Sequence, residues 1–164
     1  GVVAPGNSPG KITVLNSFSM QGTGVYKAEI LDKDHYDQIV AQSVQLSNGG
    51  NSSKLELVYL PGSTIKKGDT FTIINNNGSA PVQGTFNGLP EGAEFAVDGA
   101  TFKISYVGGD GNDVVLTAQN DSTGPKAPNT GGENVAVNLA GTIVGVASAA
   151  ILLFMAKRKS FGKK

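Results

Sequence analysis

The stretch Thr101-Phe102-Lys103-Ile104-Ser105-Tyr106-Val107 sets the reading of the fold. Phe102, Ile104 and Tyr106 share one face, while Thr101, Lys103 and Ser105 take the other. A period of two is the signature of a half-buried strand. Leu55, Leu57 and Tyr59 repeat it against Lys54, Glu56 and Val58. Working outward, short runs rich in β-branched and aromatic residues predict strands over 11–16, 24–31, 38–46, 54–60, 70–75, 82–86, 93–97, 101–107 and 113–118. Asn48-Gly49, Asn77-Gly78 and Asn87-Gly88 mark turns between them, because Asn and Gly accept positive φ at little cost. No segment before residue 133 carries a 3.6-residue apolar period. The expectation is an all-β unit.

Composition narrows the function classes. Residues 1–134 hold 8 Lys/Arg against 13 Asp/Glu, and residues 135–164 hold 5 Lys/Arg and no acid. An acidic main body argues against nucleic acid as a partner, since phosphate binding needs a basic patch. The chain has no cysteine, which excludes a disulfide framework and any thiolate metal site. Backbone pairing and packing must hold the fold together.

The C-terminus reads APNTGGENVAVNLAGTIVGVASAAILLFMAKRKSFGKK from Ala127 to Lys164. Its uncharged run, 135–156, reaches roughly 33 Å as a helix, against roughly 30 Å for the hydrocarbon core of a bilayer. A transmembrane helix is therefore expected there. Lys157, Arg158, Lys159, Lys163 and Lys164 follow as a membrane stop that stays on the cytoplasmic side. The order of motif, apolar span and basic tail resembles the sorting signal of sortase-anchored bacterial surface proteins. Pro128, Thr130 and Gly131 match the family pattern Leu-Pro-x-Thr-Gly, Asn129 fills the free position, and Ala127 stands where the family has Leu. The resemblance implies a sortase and a peptidoglycan precursor as partners, with Thr130–Gly131 as the bond that is cut. It also implies an exported chain that passes through the membrane as a precursor and ends attached to the wall.

A second resemblance lies upstream, in KKGDTFTIINNNGSAPVQGTFNGLPEGAEFAVDGATFKISYVGGDGNDVVLT (66–117), preceded by GVYKAEI (24–30) and YDQIVAQSVQLSNG (36–49). These spaced motifs resemble the closing repeat of autotransporter-type surface passengers over about residues 20–118. The resemblance implies the terminal rungs or cap of a parallel β-helix, with a small antiparallel β-sandwich as the alternative. That family pattern often sits on diderm secretion systems, whereas this tail is of the cell-wall kind.

Residues that carry chemistry are few. Gly108-Gly109-Asp110-Gly111-Asn112-Asp113-Val114-Val115-Leu116 fits the calcium-binding nonapeptide of β-rolls, with Asp110 and Asp113 as the candidate Ca²⁺ ligands. Such sites are shared between tandem copies, and one copy suits a Gly-rich turn. No other metal site and no cofactor is expected. His35 is the only histidine, and its neighbours Asp32, Asp34 and Asp37 suit an exposed loop better than a triad. Glu91 and Glu94 lie in a turn entering a strand, without an evident cleft for a glycosidase pair. Tyr26, Tyr36, Tyr59 and Tyr106 offer either a sugar-stacking face or cross-strand packing.

The organisation expected is an all-β surface domain over 1–118, a flexible linker with the sorting motif over 119–134, the membrane span over 135–156 and the cytoplasmic tail over 157–164. The function expected is display at the cell wall, as the C-terminal part of an adhesin or stalk with a host or neighbouring-cell ligand, and not catalysis. Alternatives are a wall-anchored hydrolase whose catalytic domain lies upstream, or an uncleaved single-pass membrane protein.

Overall fold

The computed structural model describes residues 1–48 and 51–125. In chain order the strands are β1 (Val2–Val3), β2 (Lys11–Thr13), β3 (Ser17–Ser19), β4 (Val25–Asp32), β5 (His35–Tyr36) and β6 (Gln38–Ala41). They continue as β7 (Ser43–Gln45), β8 (Ser47–Asn48), β9 (Asn51–Ser52), β10 (Lys54–Tyr59) and β11 (Thr64–Ile65). The last are β12 (Thr70–Asn76), β13 (Glu94–Val97), β14 (Ala100–Gly108), β15 (Asp113–Ala118) and β16 (Ser122–Thr123). The all-β expectation holds over the described residues.

Among the described residues five ladders between strands are parallel. β4 lies between β1 and β10, with Val25 opposite Val2 and Lys54. β6 lies between β2 and β12, with Ile39 opposite Ile12 and Ile74. β3 pairs with β7, Phe18 opposite Val44. The second half of the chain is antiparallel. β12 takes β15 on its other edge, β14 adds to β15 and β13 to β14, which completes a six-stranded sheet of order β13-β14-β15-β12-β6-β2.

This mixed sheet corrects the fold-class expectation. The short connections between β13 and β14 and between β14 and β15 force antiparallel pairing, because parallel neighbours need a long crossover. β15 thereby occupies the edge of β12 on which parallel stacking would have continued. The result is neither the end of a β-helix nor an antiparallel sandwich. No described helix is long and apolar enough to cross a membrane. The expected transmembrane helix over 135–156 lies outside the described residues, as do Ala127–Gly131 and the tail Lys157–Lys164.

Local departures have local causes. The run 38–46 breaks at Gln42, where the buried positions shift phase from Ile39 and Ala41 to Val44 and Leu46. A change of phase in a period-two pattern moves the chain to a different sheet. In β12 the adjacent Ile73 and Ile74 are both buried, and the ladder to β15 shifts register there, as a bulge requires. The run 82–86 forms only isolated bridges at Gln83 and Phe86. The chain turns at Gly84, where φ is +80° and a Cβ would lie 1.8 Å from the Ser47 Oγ.

The core is one cluster that includes Tyr26, Ile39, Phe71, Ile74, Phe102, Ile104 and Leu116, all fully buried. Phe102 meets Phe71 edge-on at 5.9 Å between centroids and lies 6.2 Å from Tyr59. The alternating face of 101–107 thus supplies the centre of the core.

Candidate functional site

The candidate site lies at the end of the described chain. After β15 the segment 119–125 is polar in composition, yet it is tied down at nearly every step. Gln119 N–H donates to the Thr101 carbonyl at 2.8 Å. The Asn120 side chain accepts from Thr101 N–H at 2.7 Å and donates to the Gly99 carbonyl at 2.9 Å. Asp121 Oδ1 accepts from the Lys67 N–H at 2.8 Å, and its Oδ2 meets Lys66 Nζ at 3.2 Å. Those donors, the Lys67 N–H foremost, hold the Asp121 carboxyl below its ordinary value. β16 then pairs antiparallel with β11, Thr123 opposite Thr64.

Two further bonds close this strap. Gly124 N–H donates to the Ser63 carbonyl and Gly62 N–H to the Pro125 carbonyl, each at 2.9 Å. The approach is close enough to require glycine. A Cβ on Gly124 would lie 2.9 Å from the Ser63 Cβ and 3.0 Å from the Leu60 carbonyl oxygen. Ser63 is itself buried, its hydroxyl 2.7 Å from the Ile30 carbonyl of β4. Sequence reasoning missed the strap because β11 and β16 are two residues long and Asn, Asp, Ser and Gly read as solvated linker. The one available signal was Gly124 in a chain that must pass against a neighbour.

The other candidates resolve mostly into structural roles. Asp113 is buried, and its Oδ1 accepts from the Asn76 N–H at 2.8 Å. Burial raises its pKa above the usual carboxylate range. Gly109, at φ +58°, would place a Cβ 1.9 Å from Asp113 Oδ2, so the turn is built around this carboxylate. Asp110 is exposed at the turn's tip. Among the described residues no group of three or more His, Cys, Asp or Glu is placed to hold a metal ion. Asp110 and Asp113 would have to recruit carbonyl and amide oxygens to bind calcium.

His35 is exposed, with Nδ1 2.8 Å from Asp32 Oδ1, which also accepts from the Asp34 and His35 N–H groups. The Asp34 N–H, ahead of the His35 contacts, holds the Asp32 carboxyl low. The shallow depression beside His35 is also lined by Pro9, Gly10, Lys11, Asp34, Tyr36 and Gln38, with no Ser or Thr among them. Asp37 is not part of that loop's surface. It is 1% exposed and accepts from Gly10 N–H at 2.6 Å and Glu29 N–H at 3.0 Å, while burial pushes its pKa up.

Glu91 Oε2 accepts from the Tyr106 N–H at 2.6 Å, and Glu94 faces Lys103 across the β13–β14 ladder. Neither arrangement leaves a carboxylate pair around a substrate. Tyr26, Tyr59 and Tyr106 are buried, which removes three of the four rings from any sugar-stacking face. Tyr106 donates to the Leu89 carbonyl at 2.7 Å and accepts from Phe86 N–H at 2.9 Å, and burial pushes its pKa up to about 12.

No protein-family model, no curated protein and no solved structure matches the chain. The functional reading therefore stands on the residues themselves.

Proposed function

We propose that the chain is a bacterial surface protein attached to the cell wall by a sortase acting at Thr130–Gly131. The observation that carries this is the sequence order of Pro128-Asn129-Thr130-Gly131, the uncharged run 135–156 and the basic cluster Lys157–Lys164. In this reading the cysteine thiolate of the enzyme attacks the Thr130 carbonyl carbon. The Thr130–Gly131 C–N bond breaks, and Gly131 leaves as an amine that takes up a proton. An amine of the peptidoglycan precursor then attacks the thioester, joins Thr130 to the wall and frees the thiolate. The apolar run keeps the precursor at the membrane until that transfer, and the basic cluster stops its export.

The fold is compatible with this use. The last described residue of the strap, Pro125, stands five positions before Thr130, so cleavage removes none of the hydrogen bonds among the described residues. Display then serves adhesion, or a stalk for a partner domain, without chemistry in the β unit itself. The test is intact-mass and C-terminal peptide analysis of protein released from purified walls by a muralytic enzyme. A C-terminus at Thr130 bearing a peptidoglycan fragment is the expected result. A product that still ends at Lys164 and is extracted by detergent would establish an uncleaved membrane protein instead.

A further inference from the structure

We propose that the rim around the strap, formed by Pro61, Gly62, Lys66, Lys67 and Asp121, is a docking surface for the transpeptidase that cuts Thr130–Gly131. This rests on the sorting reading above and adds a surface to it. The Pro125 carbonyl is held by the Gly62 N–H at 2.9 Å. The motif starts at Ala127, so Lys126 alone separates it from a fixed point on the fold. Two residue steps reach at most about 7 Å, whatever their conformation. An enzyme that encloses Ala127–Thr130 must bring the mouth of its cleft within that distance of the rim. A single domain of about 100 residues has a radius of gyration near 13 Å, larger than the gap. The two surfaces therefore meet around the exit point.

The rim has groups to offer at that contact. Pro61, Gly62, Lys66, Lys67 and Asp121 are exposed. Lys67 uses its backbone N–H to hold Asp121, and its ammonium has no ion-pair partner among the described residues. Asp121 stands four residues before Pro125, up to roughly 13 Å along the strap, so Lys67 can meet a carboxylate on the enzyme's surface flanking the cleft without disturbing the strap. Contacts of this kind raise the local concentration of a short motif at the cleft, which the motif by itself does not achieve.

The experiment compares three substrates with purified sortases of each class. They are the full chain in detergent micelles, the peptide of residues 126–133, and the full chain with a 12-residue Gly-Ser spacer inserted between Pro125 and Lys126. The spacer has a root-mean-square span of roughly 19 Å and separates motif from rim. Docking predicts that kcat/KM for the chain exceeds that for the peptide by about tenfold. It also predicts that the spacer and, separately, Lys67→Glu bring the chain back towards the peptide. Cleavage of the chain but not of the peptide supports the same conclusion. Equal rates for all substrates overturn docking while leaving the sorting reading intact. So does a chain slower than the peptide and rescued by the spacer, because the fold is then an obstacle. If no sortase cuts any of the substrates, the sorting reading fails and docking falls with it.

Discussion

Gly124→Ala tests the strap directly. A Cβ at this position would lie 2.9 Å from the Ser63 Cβ, 3.0 Å from the Leu60 carbonyl oxygen and 3.3 Å from Ser63 Oγ. Ser63 cannot give way easily, since it is buried with its hydroxyl held 2.7 Å from the Ile30 carbonyl. The strap must lift instead, and the Gly124–Ser63 and Gly62–Pro125 hydrogen bonds lengthen or break. Forcing a methyl into a packed site costs about 1–3 kcal/mol. Because the strap is the last element of the described chain, the cost falls on local opening rather than on the whole fold. Amide hydrogen exchange by NMR on the full chain in micelles reads this out site by site. The amides of Gly62 and residue 124 should exchange about 5- to 150-fold faster than in the wild type. The Ile104 N–H, bonded to the Ala93 carbonyl at 3.0 Å in the antiparallel half, should keep its protection. Unchanged exchange at Gly62 and residue 124 would refute the close approach at Gly124. An equal loss at Ile104 would refute the strap's independence from the core.

Two further outcomes follow from the buried carboxylates. Asp37→Asn replaces one of two acceptors by an NH₂ group that faces a backbone N–H, and should lower stability by about 2–4 kcal/mol in urea unfolding; an unchanged midpoint would mean that Gly10 and Glu29 find other acceptors. Burial raises the pKa of Asp37 and of Asp113 in the native state, so the folded chain holds protons that the unfolded chain releases. Their contribution is complete below the ordinary value of 3.8 and is lost as pH rises through the raised native values. The urea midpoint should therefore be higher at about pH 4.5 than at pH 7, and a midpoint that drops on acidification would overturn the assignment. Calcium at millimolar concentration should shift the melting temperature by less than about 1 °C, given that Asp113 Oδ1 is committed to the Asn76 N–H; a larger shift that Asp110→Asn abolishes would restore the turn as a cation site.

How much of this was legible depends on how far each signal extends along the chain. The six alternating residues from Thr101 to Tyr106 make β14 plain, because each inward side chain repeats the evidence of the previous one. The direction of pairing is not written in alternation. A parallel and an antiparallel neighbour demand the same inward face, so β6 and β15 on either edge of β12 could not be told apart. Corners were hidden for a related reason. Gln42 breaks a run whose composition is uniformly strand-like, and only the phase of burial on its two sides reveals the turn. Polar residues misled in the opposite direction. Asn120 and Asp121 are linker-like by composition, yet they supply acceptors to Thr101 and Lys67. The reading of Ala127–Gly131 as a sorting motif rests on sequence order alone, and these residues lie outside the described part of the chain.

Attachment through Thr130 would also give the strap a mechanical meaning. With that attachment, tension on the wall bond would enter the β unit at Pro125 and first load the Gly62–Pro125 and Gly124–Ser63 hydrogen bonds. The β11–β16 pair comes next, only two residues long and antiparallel. With so few bonds, the strap yields before any longer ladder does. Once it has lifted, the pull reaches Ala118 at the end of β15, whose ladders run the length of β12 on one side and β14 on the other. Load along the axis of a strand held on both edges acts on all its hydrogen bonds together. Under such a load the strap would act as a small extensible segment in series with a stiff one, lengthening the tether by about seven residues at up to roughly 3.3 Å each before the core carries force.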